Sequence, residues 1–213
     1  MPGKAVLFDL DGTLADTVPL LLESYARTAQ QVLGVPADLE LHRRWIGRPL
    51  RDTFENIYGP EHVEAMVAAY DEINVALTVS DTREFPGIRD LLIELAQAGV
   101  AVGVATAKRA PAAKLTLAAA QLAGVVEVVA SAEDTDAHKP SPEPLLKAAA
   151  ALGAQPCETA YVGDAVTDIQ AAKAAGMKAV AVSWGAATAA ELAAENPDAL
   201  AATVAELRAI LLG

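Results

Sequence analysis

Asp9 and Asp11 stand two residues apart at the end of a short apolar run, in Asp9-Leu10-Asp11-Gly12-Thr13-Leu14. In extended backbone, residues two apart point to the same side, so both carboxylates can face one site. Two acids crowded together repel unless a cation or a shared proton relieves them. Gly12 lets the chain turn sharply and bring backbone amides close to a ligand. A second acidic pair, in Gly163-Asp164-Ala165-Val166-Thr167-Asp168, follows another apolar run. With a helix starting near Ala165, Asp164 and Asp168 lie about one turn apart on one face. Hard oxygen donors of this kind suit Mg²⁺, which keeps several waters and needs few carboxylates. Each pair also has a plainer reading, as a loop cap or as acids at a helix N-terminus.

Two further pieces are single residues. Thr106 closes the run at 100–105, where its hydroxyl and the following amides, beginning with Ala107, can hold phosphate oxygens. A Thr in that place also serves as an ordinary helix cap. Lys139 lies in His138-Lys139-Pro140-Ser141-Pro142, stiffened by two prolines. It is either a solvated surface lysine or, near an acidic cluster, a charge that neutralises a transferred phosphoryl group.

The elements that must position these residues follow an alternating pattern. Apolar runs at 5–10, 100–105, 125–130, 159–162 and 179–183 read as buried strands. Between them, 88–98, 142–152 and 168–175 carry apolar residues at helical spacing. That alternation predicts an α/β fold, a doubly wound parallel sheet with a Rossmann-like core. The stretch 16–84 breaks the rhythm, with helical patterns at 19–33, 39–46 and 62–77 and no convincing strand. It reads as a helical cap inserted into a core made of 1–15 and 85–213, with Glu84-Phe85-Pro86-Gly87 as the turn that restarts the alternation. In open α/β sheets ligands bind beyond the carboxyl ends of strands, and every candidate above falls at such an end.

Composition narrows the function further. Apolar residues make up 53% of the 213-residue chain and aromatics only 4%, so the core must be built from Val, Leu, Ile and Ala. The formal net charge of −12 disfavours nucleic acid as a partner. An anionic substrate would need local positive charge against that background. Cys157, the only cysteine, excludes an intrachain disulfide and a cysteine zinc site, and is expected to be a partly buried inert thiol. The opening stretch lacks a charged-then-apolar leader and no run approaches a membrane span, so the expectation is a cytoplasmic protein without membrane contact.

In order and spacing, these motifs resemble the haloacid dehalogenase superfamily of phosphatases. The match comprises Asp9-x-Asp11-Gly12-Thr13, a Thr at the second strand's end, a later Lys-Pro, and Gly163-Asp164-x-x-x-Asp168. "FPGIRDLL", "HKPSPEP", "YVGDAVTDI" and "VSWG" look like its phosphoglycolate phosphatase and pyrophosphatase branch. The resemblance implies that Asp9 is the nucleophile and a Mg²⁺ ligand. Asp11 would protonate the leaving group, then activate water, and lend its backbone carbonyl to the metal. Thr106 and Ala107 would bind phosphoryl oxygens, Lys139 would neutralise charge and orient Asp9, and Asp164 and Asp168 would complete the metal site.

The expected activity is hydrolysis of a small phosphorylated metabolite by a monomer or homodimer, phosphoglycolate first and pyrophosphate close behind. A sugar phosphomutase and a non-catalytic regulatory protein on the same fold are the alternatives. Within the insert, His42-Arg43-Arg44-Trp45-Ile46-Gly47-Arg48-Pro49-Leu50-Arg51 holds four arginines in ten residues. Arg48, flanked by Gly47 and Pro49, is the candidate for a substrate's distal anion. Arg43, Arg44 and Arg51 are as well explained by pairing with surface acids. Lys108 and Arg109 are placed at the entrance, and Trp184 and Gly185 near the site.

Overall fold

A computed structural model describes residues 4–213. Six parallel strands form one sheet: β1 (Ala5–Phe8), β2 (Ala101–Ala105), β3 (Val128–Ala130), β4 (Thr159–Gly163), β5 (Lys178–Val182) and β6 (Ala199–Ala201). Their order is β3-β2-β1-β4-β5-β6, the doubly wound arrangement expected from the alternation. Because helices cover both faces, the inner strands read as continuous apolar runs; all four residues of β1 are buried.

Six helices belong to this sheet: α5 (Ile88–Gln97), α6 (Ala110–Ala119), α7 (Glu143–Ala151), α8 (Val166–Ala174), α9 (Ala189–Ala194) and α10 (Val204–Leu212). One face of the sheet packs Val6, Phe8 and Val104 against Ile88, Leu91, Leu95 and Leu207. The other packs Leu7, Tyr161 and Ala181 against Leu145, Ile169 and Leu192. Alanine on α7 and α8 lets these helices lie close to the sheet, so small side chains fill the second layer without large voids.

Between β1 and α5 come α1 (Val18–Leu33), α2 (Leu39–Trp45), α3 (Leu50–Tyr58) and α4 (Val63–Asp81). They share a separate core of Leu21, Tyr25, Phe54, Met66 and Tyr70. The stretches that lead into and out of this bundle run side by side. Asp16 N–H donates to the Arg83 carbonyl at 2.8 Å, and Phe85 N–H to the Leu14 carbonyl at 3.2 Å. Helix α4 also packs against α6, which brings the bundle over the carboxyl edge of the sheet.

Three details differ from the sequence expectation. The strand read at 125–130 is confined to Val128–Ala130, because the turn around Gly124 (φ +79°) consumes its first residues. The sequence pattern predicts neither helix α3 nor strand β6. Cys157 is exposed rather than partly buried, since it lies in a short 3₁₀ turn before β4 with its side chain on the surface. Among the described residues, no helix is long and apolar enough to cross a membrane.

Candidate active site

Sheet order reverses between β1 and β4, and the acidic pairs leave those two neighbouring strands. Asp9 follows β1 directly and keeps the strand's pairing, its N–H donating to the Val162 carbonyl at 2.8 Å. Leu10 turns into the core, so Asp11 returns to the side of Asp9. Asp164 follows β4 in the loop before α8, and Asp168 lies in the first turn of that helix. The helix begins at Val166, so only Asp168 of the second pair is helical; the expected shared helix face is replaced by a loop and a first turn.

Asp9, Asp164 and Asp168 are all buried, and each offers a carboxylate oxygen within 4.8 Å of the others. Lys139 reaches into this cluster with its side chain only 2% exposed. Its ammonium donates to Asp168 Oδ1 at 2.7 Å, to Asp9 Oδ1 at 3.0 Å and to the Tyr161 hydroxyl at 2.9 Å. Tyr161 in turn donates to the Ala105 carbonyl at 2.9 Å. Burial drives the Asp9 carboxyl up to about 7, with Asp168 and Asp11 adding repulsion and Lys139 opposing it. Burial likewise pushes Asp164 well above its ordinary value, reinforced by Asp168 and Asp9. Burial alone would lower Lys139, but Asp168 and Asp9 override it and hold the ammonium charged.

Three carboxylates and one ammonium leave a formal charge of −2 in a dry site when all are ionised. A small, hard divalent cation among those oxygens would cancel it, and the donor set is of the type such ions take. The surroundings hold Asp164 in place for that task. Thr13 Oγ1 donates to one of its oxygens at 2.8 Å and Ala186 N–H to the other at 2.6 Å. Gly12 (φ +76°) and Gly185 flank it so closely that a Cβ on either would collide with the Asp164 side chain. Trp184 Nε1 donates to the Thr13 carbonyl at 3.2 Å, tying the loop after β5 to the loop after β1.

The Asp11 carboxylate does not join this cluster. It accepts from Thr17 Oγ1 at 2.8 Å and from the Lys108 ammonium at 2.7 Å. Thr106 directly follows β2, its N–H donating to the Ala130 carbonyl at 3.0 Å, and its hydroxyl accepts from Lys108 N–H at 3.2 Å. Asp9, Asp11, Thr106, Ala107, Lys108 and Arg48 all line one cavity of about 500 Å³ between the sheet edge and the helical bundle.

Arg48 reaches that cavity, but its guanidinium rests 4.9 Å above the Trp45 ring and its side chain is exposed. Arg51 pairs with Glu64, and Arg43 lies 4.0 Å from Glu40. Arg109 spans Glu133 at 3.3 Å and Asp71 of α4 at 3.6 Å, across the mouth of the cavity. Lys108 is inside rather than at the entrance, its side chain 10% exposed. The sequence places Thr13 in the first motif but gives it no role, and it singles out neither Tyr161 nor Thr17. A tyrosine inside a buried strand was the available signal, because its hydroxyl must find a partner there.

The profile of the haloacid dehalogenase-like hydrolases matches residues 6–182, from the first strand through the fifth. The chain belongs to that family. It is 36% identical over 208 residues to pyrophosphatase PpaX of Anoxybacillus flavithermus, covering 98% of this chain and 96% of the relative. Pyrophosphatase PpaX of Bacillus mycoides is 35% identical over 211 residues, covering 99% and 98%. In structure, the chain matches a haloacid dehalogenase-like hydrolase of Bacteroides fragilis with a TM-score of 0.86 and 27% identity, over 96% of this chain and 99% of the other. A Haemophilus somnus protein described as a predicted phosphoglycolate phosphatase shares the fold, with a TM-score of 0.84 and 22% identity over 98% and 97%. This chain is therefore an enzyme, a hydrolase of the phosphatase type, and the regulatory alternative falls away.

Proposed function

We propose that this enzyme hydrolyses a small phosphate compound through an aspartyl-phosphate on Asp9, with inorganic pyrophosphate as its first substrate and phosphoglycolate as the second reading. The observation that carries the mechanism is the buried Asp9 carboxylate, 3.0 Å from the Lys139 ammonium, in the wall of the same cavity as Asp11 and Thr106. Pyrophosphate is placed first because relatives at 35–36% identity over nearly the whole chain bear that activity in their names. Phosphoglycolate is named among structures at the level of fold.

Asp9, Asp164 and Asp168 would hold Mg²⁺, which when bound offsets the repulsion between carboxylate and phosphate and stabilises charge in the transition state. Asp9 attacks phosphorus with its free oxygen while the bond to the leaving oxygen breaks. Asp11 gives that oxygen a proton, then takes one from the water that cleaves the aspartyl-phosphate, which restores Asp9 and releases orthophosphate. Thr106 and the Ala107 amide receive the phosphoryl oxygens. Lys139, fixed by Tyr161, orients Asp9 and neutralises part of the incoming charge.

The bundle formed by 16–84 would act as the cap that excludes water and selects substrate, with Arg48 at its rim. An exposed free cysteine and an acidic surface fit a reducing cytoplasm and a small-molecule partner, with no nucleic acid or membrane engaged.

The test is phosphate release with Mg²⁺ from pyrophosphate, phosphoglycolate and several sugar phosphates, side by side. Pyrophosphate should lead by at least tenfold, and excess chelator should abolish turnover. Release from none of them, or full activity in chelator, would overturn the reading.

A further inference from the structure

Among the described residues that line the cavity, Lys108 is the cation whose charge is aimed at the acid Asp11. Its ammonium lies 2.7 Å from Asp11 Oδ1 and 3.2 Å from Thr116 Oγ1, with the side chain 10% exposed. A lysine has three N–H donors. Two are used here, and the group borders the cavity, so the third can meet a ligand.

The leaving group's place follows from the chemistry. Asp9 attacks in line, so the departing oxygen lies away from Asp9 and within hydrogen-bond reach of Asp11, its proton donor. That places it within two hydrogen-bond lengths of the Lys108 ammonium. Lys139 cannot serve there, being committed to Asp9, Asp168 and Tyr161. Arg109 is held by Glu133 and Asp71 at the surface and Arg48 rests over Trp45 at the rim, so of the described cations of the cavity Lys108 is the one in contact with Asp11.

We infer that Lys108 selects substrates whose leaving group carries its own negative charge, a phosphate or a carboxylate-bearing alcohol, over neutral alcohols. This rests on the proposed reaction at Asp9 and deepens it. When the P–O bond breaks, the electron pair passes to the leaving oxygen. On a neutral alcohol the Asp11 proton must cancel that charge. On orthophosphate the charge spreads over oxygens that Lys108 can reach, and the ammonium is worth most when that charge is greatest. The plainer role for Lys108, steadying Asp11, would help every substrate that needs the acid. A neutral alcohol needs it most.

The experiment measures kcat/KM for pyrophosphate, phosphoglycolate and glycerol 2-phosphate in the wild type, Lys108→Met and Lys108→Arg, with Mg²⁺ present. The wild type should favour both anionic leaving groups over glycerol. Lys108→Met should lower the ratio of pyrophosphate to glycerol 2-phosphate by roughly 10- to 100-fold, the loss of one charge-assisted hydrogen bond. Lys108→Arg should keep most of the ratio. The remaining glycerol 2-phosphate turnover reports that Lys108→Met is folded, and circular dichroism checks it independently. Equal losses on all substrates, a larger loss on glycerol 2-phosphate than on pyrophosphate, or a wild type indifferent to leaving-group charge would overturn the inference. Phosphoglycolate outpacing pyrophosphate would sink the substrate order proposed above but leave the role of Lys108 standing. Activity surviving in Asp9→Asn would sink the reaction itself.

Discussion

The Tyr161 hydroxyl accepts a hydrogen bond from the Lys139 ammonium at 2.9 Å and donates its own proton to the Ala105 carbonyl at 2.9 Å. This one phenol links three strands' worth of structure: it rises from β4, is anchored to the end of β2, and holds a lysine delivered by the loop after β3. Lys139 is thereby aimed at Asp9 and Asp168 instead of swinging among its many rotamers.

Tyr161→Phe keeps the ring and removes only that anchor. Turnover should fall about tenfold with KM changed less than threefold, because orientation of Lys139 matters most when charge builds on the phosphoryl group. Global stability should drop by about 1–3 kcal/mol from the lost buried bonds. Steady-state kinetics beside denaturant unfolding separates the two effects. A purely structural tyrosine would lower stability and leave kcat of the folded fraction untouched.

Asp9→Asn should abolish turnover and also reshape the pH dependence of stability. The folded Asp9 carboxyl is raised to about 7, chiefly by burial, above its ordinary unfolded value. A raised carboxyl favours the folded state while protonated, so its contribution is full below the unfolded value and is lost as pH rises through about 7. Metal-free wild type should therefore lose stability as pH rises from about 4 to about 7, with Asp164 pulling the same way. The asparagine variant should lose distinctly less, which urea unfolding in chelator would reveal. Identical pH slopes for the two proteins would remove Asp9 as the cause.

Much of this arrangement could be read from the chain because its signals are local. Each apolar run ends in a polar or small residue at the sheet's carboxyl edge, so Asp9, Asp11, Thr106 and Asp164 announce themselves by position. Tyr161 and Thr13 do not, since their roles exist only through contacts such as Thr13 with Asp164, 151 positions away. Strand β6 escaped notice because Ala199-Leu200-Ala201 is too short to stand out from the alanine-rich sequence around it. Helix α3 mixes Thr, Phe, Asn and Tyr between Pro49 and Gly59, and it is tertiary packing of Phe54 that stabilises it. Within the arginine cluster, Arg43 and Arg51 turn to Glu40 and Glu64, the surface pairing that their helical setting already suggested, and Arg48 reaches the cavity's rim beside Trp45.

Gly185→Ala should weaken cation binding by roughly 10- to 100-fold without unfolding the protein, the range expected when the support of a ligand is disturbed. The new methyl would overlap the Asp164 carboxylate and the Gly12 carbonyl, so Asp164 must leave its bonds to Thr13 and Ala186. Calorimetric titration of Mg²⁺ into the metal-free variant reads this directly. Unchanged affinity would show that Asp164 has room to move and that the glycine serves only the loop.

The helical bundle should carry its own pH dependence, of opposite sign to that of Asp9. His42 is fully buried, its ring 4.7 Å from that of Tyr25. Nδ1 lies 2.6 Å from the Asp38 carbonyl, which can only accept, so Nδ1 carries the proton and Nε2 accepts from the Tyr58 hydroxyl at 3.2 Å. Burial lowers the His42 value below the ordinary 6.5, with the Asp38 carbonyl opposing only in part. As pH falls, the unfolded chain takes up this proton first, so stability present above 6.5 is lost on acidification toward the folded value. The stability advantage of wild type over His42→Gln should thus shrink between pH 7.5 and pH 5. Thermal unfolding of both proteins across that range tests it. A gap that stays constant with pH would mean that His42 contributes packing alone.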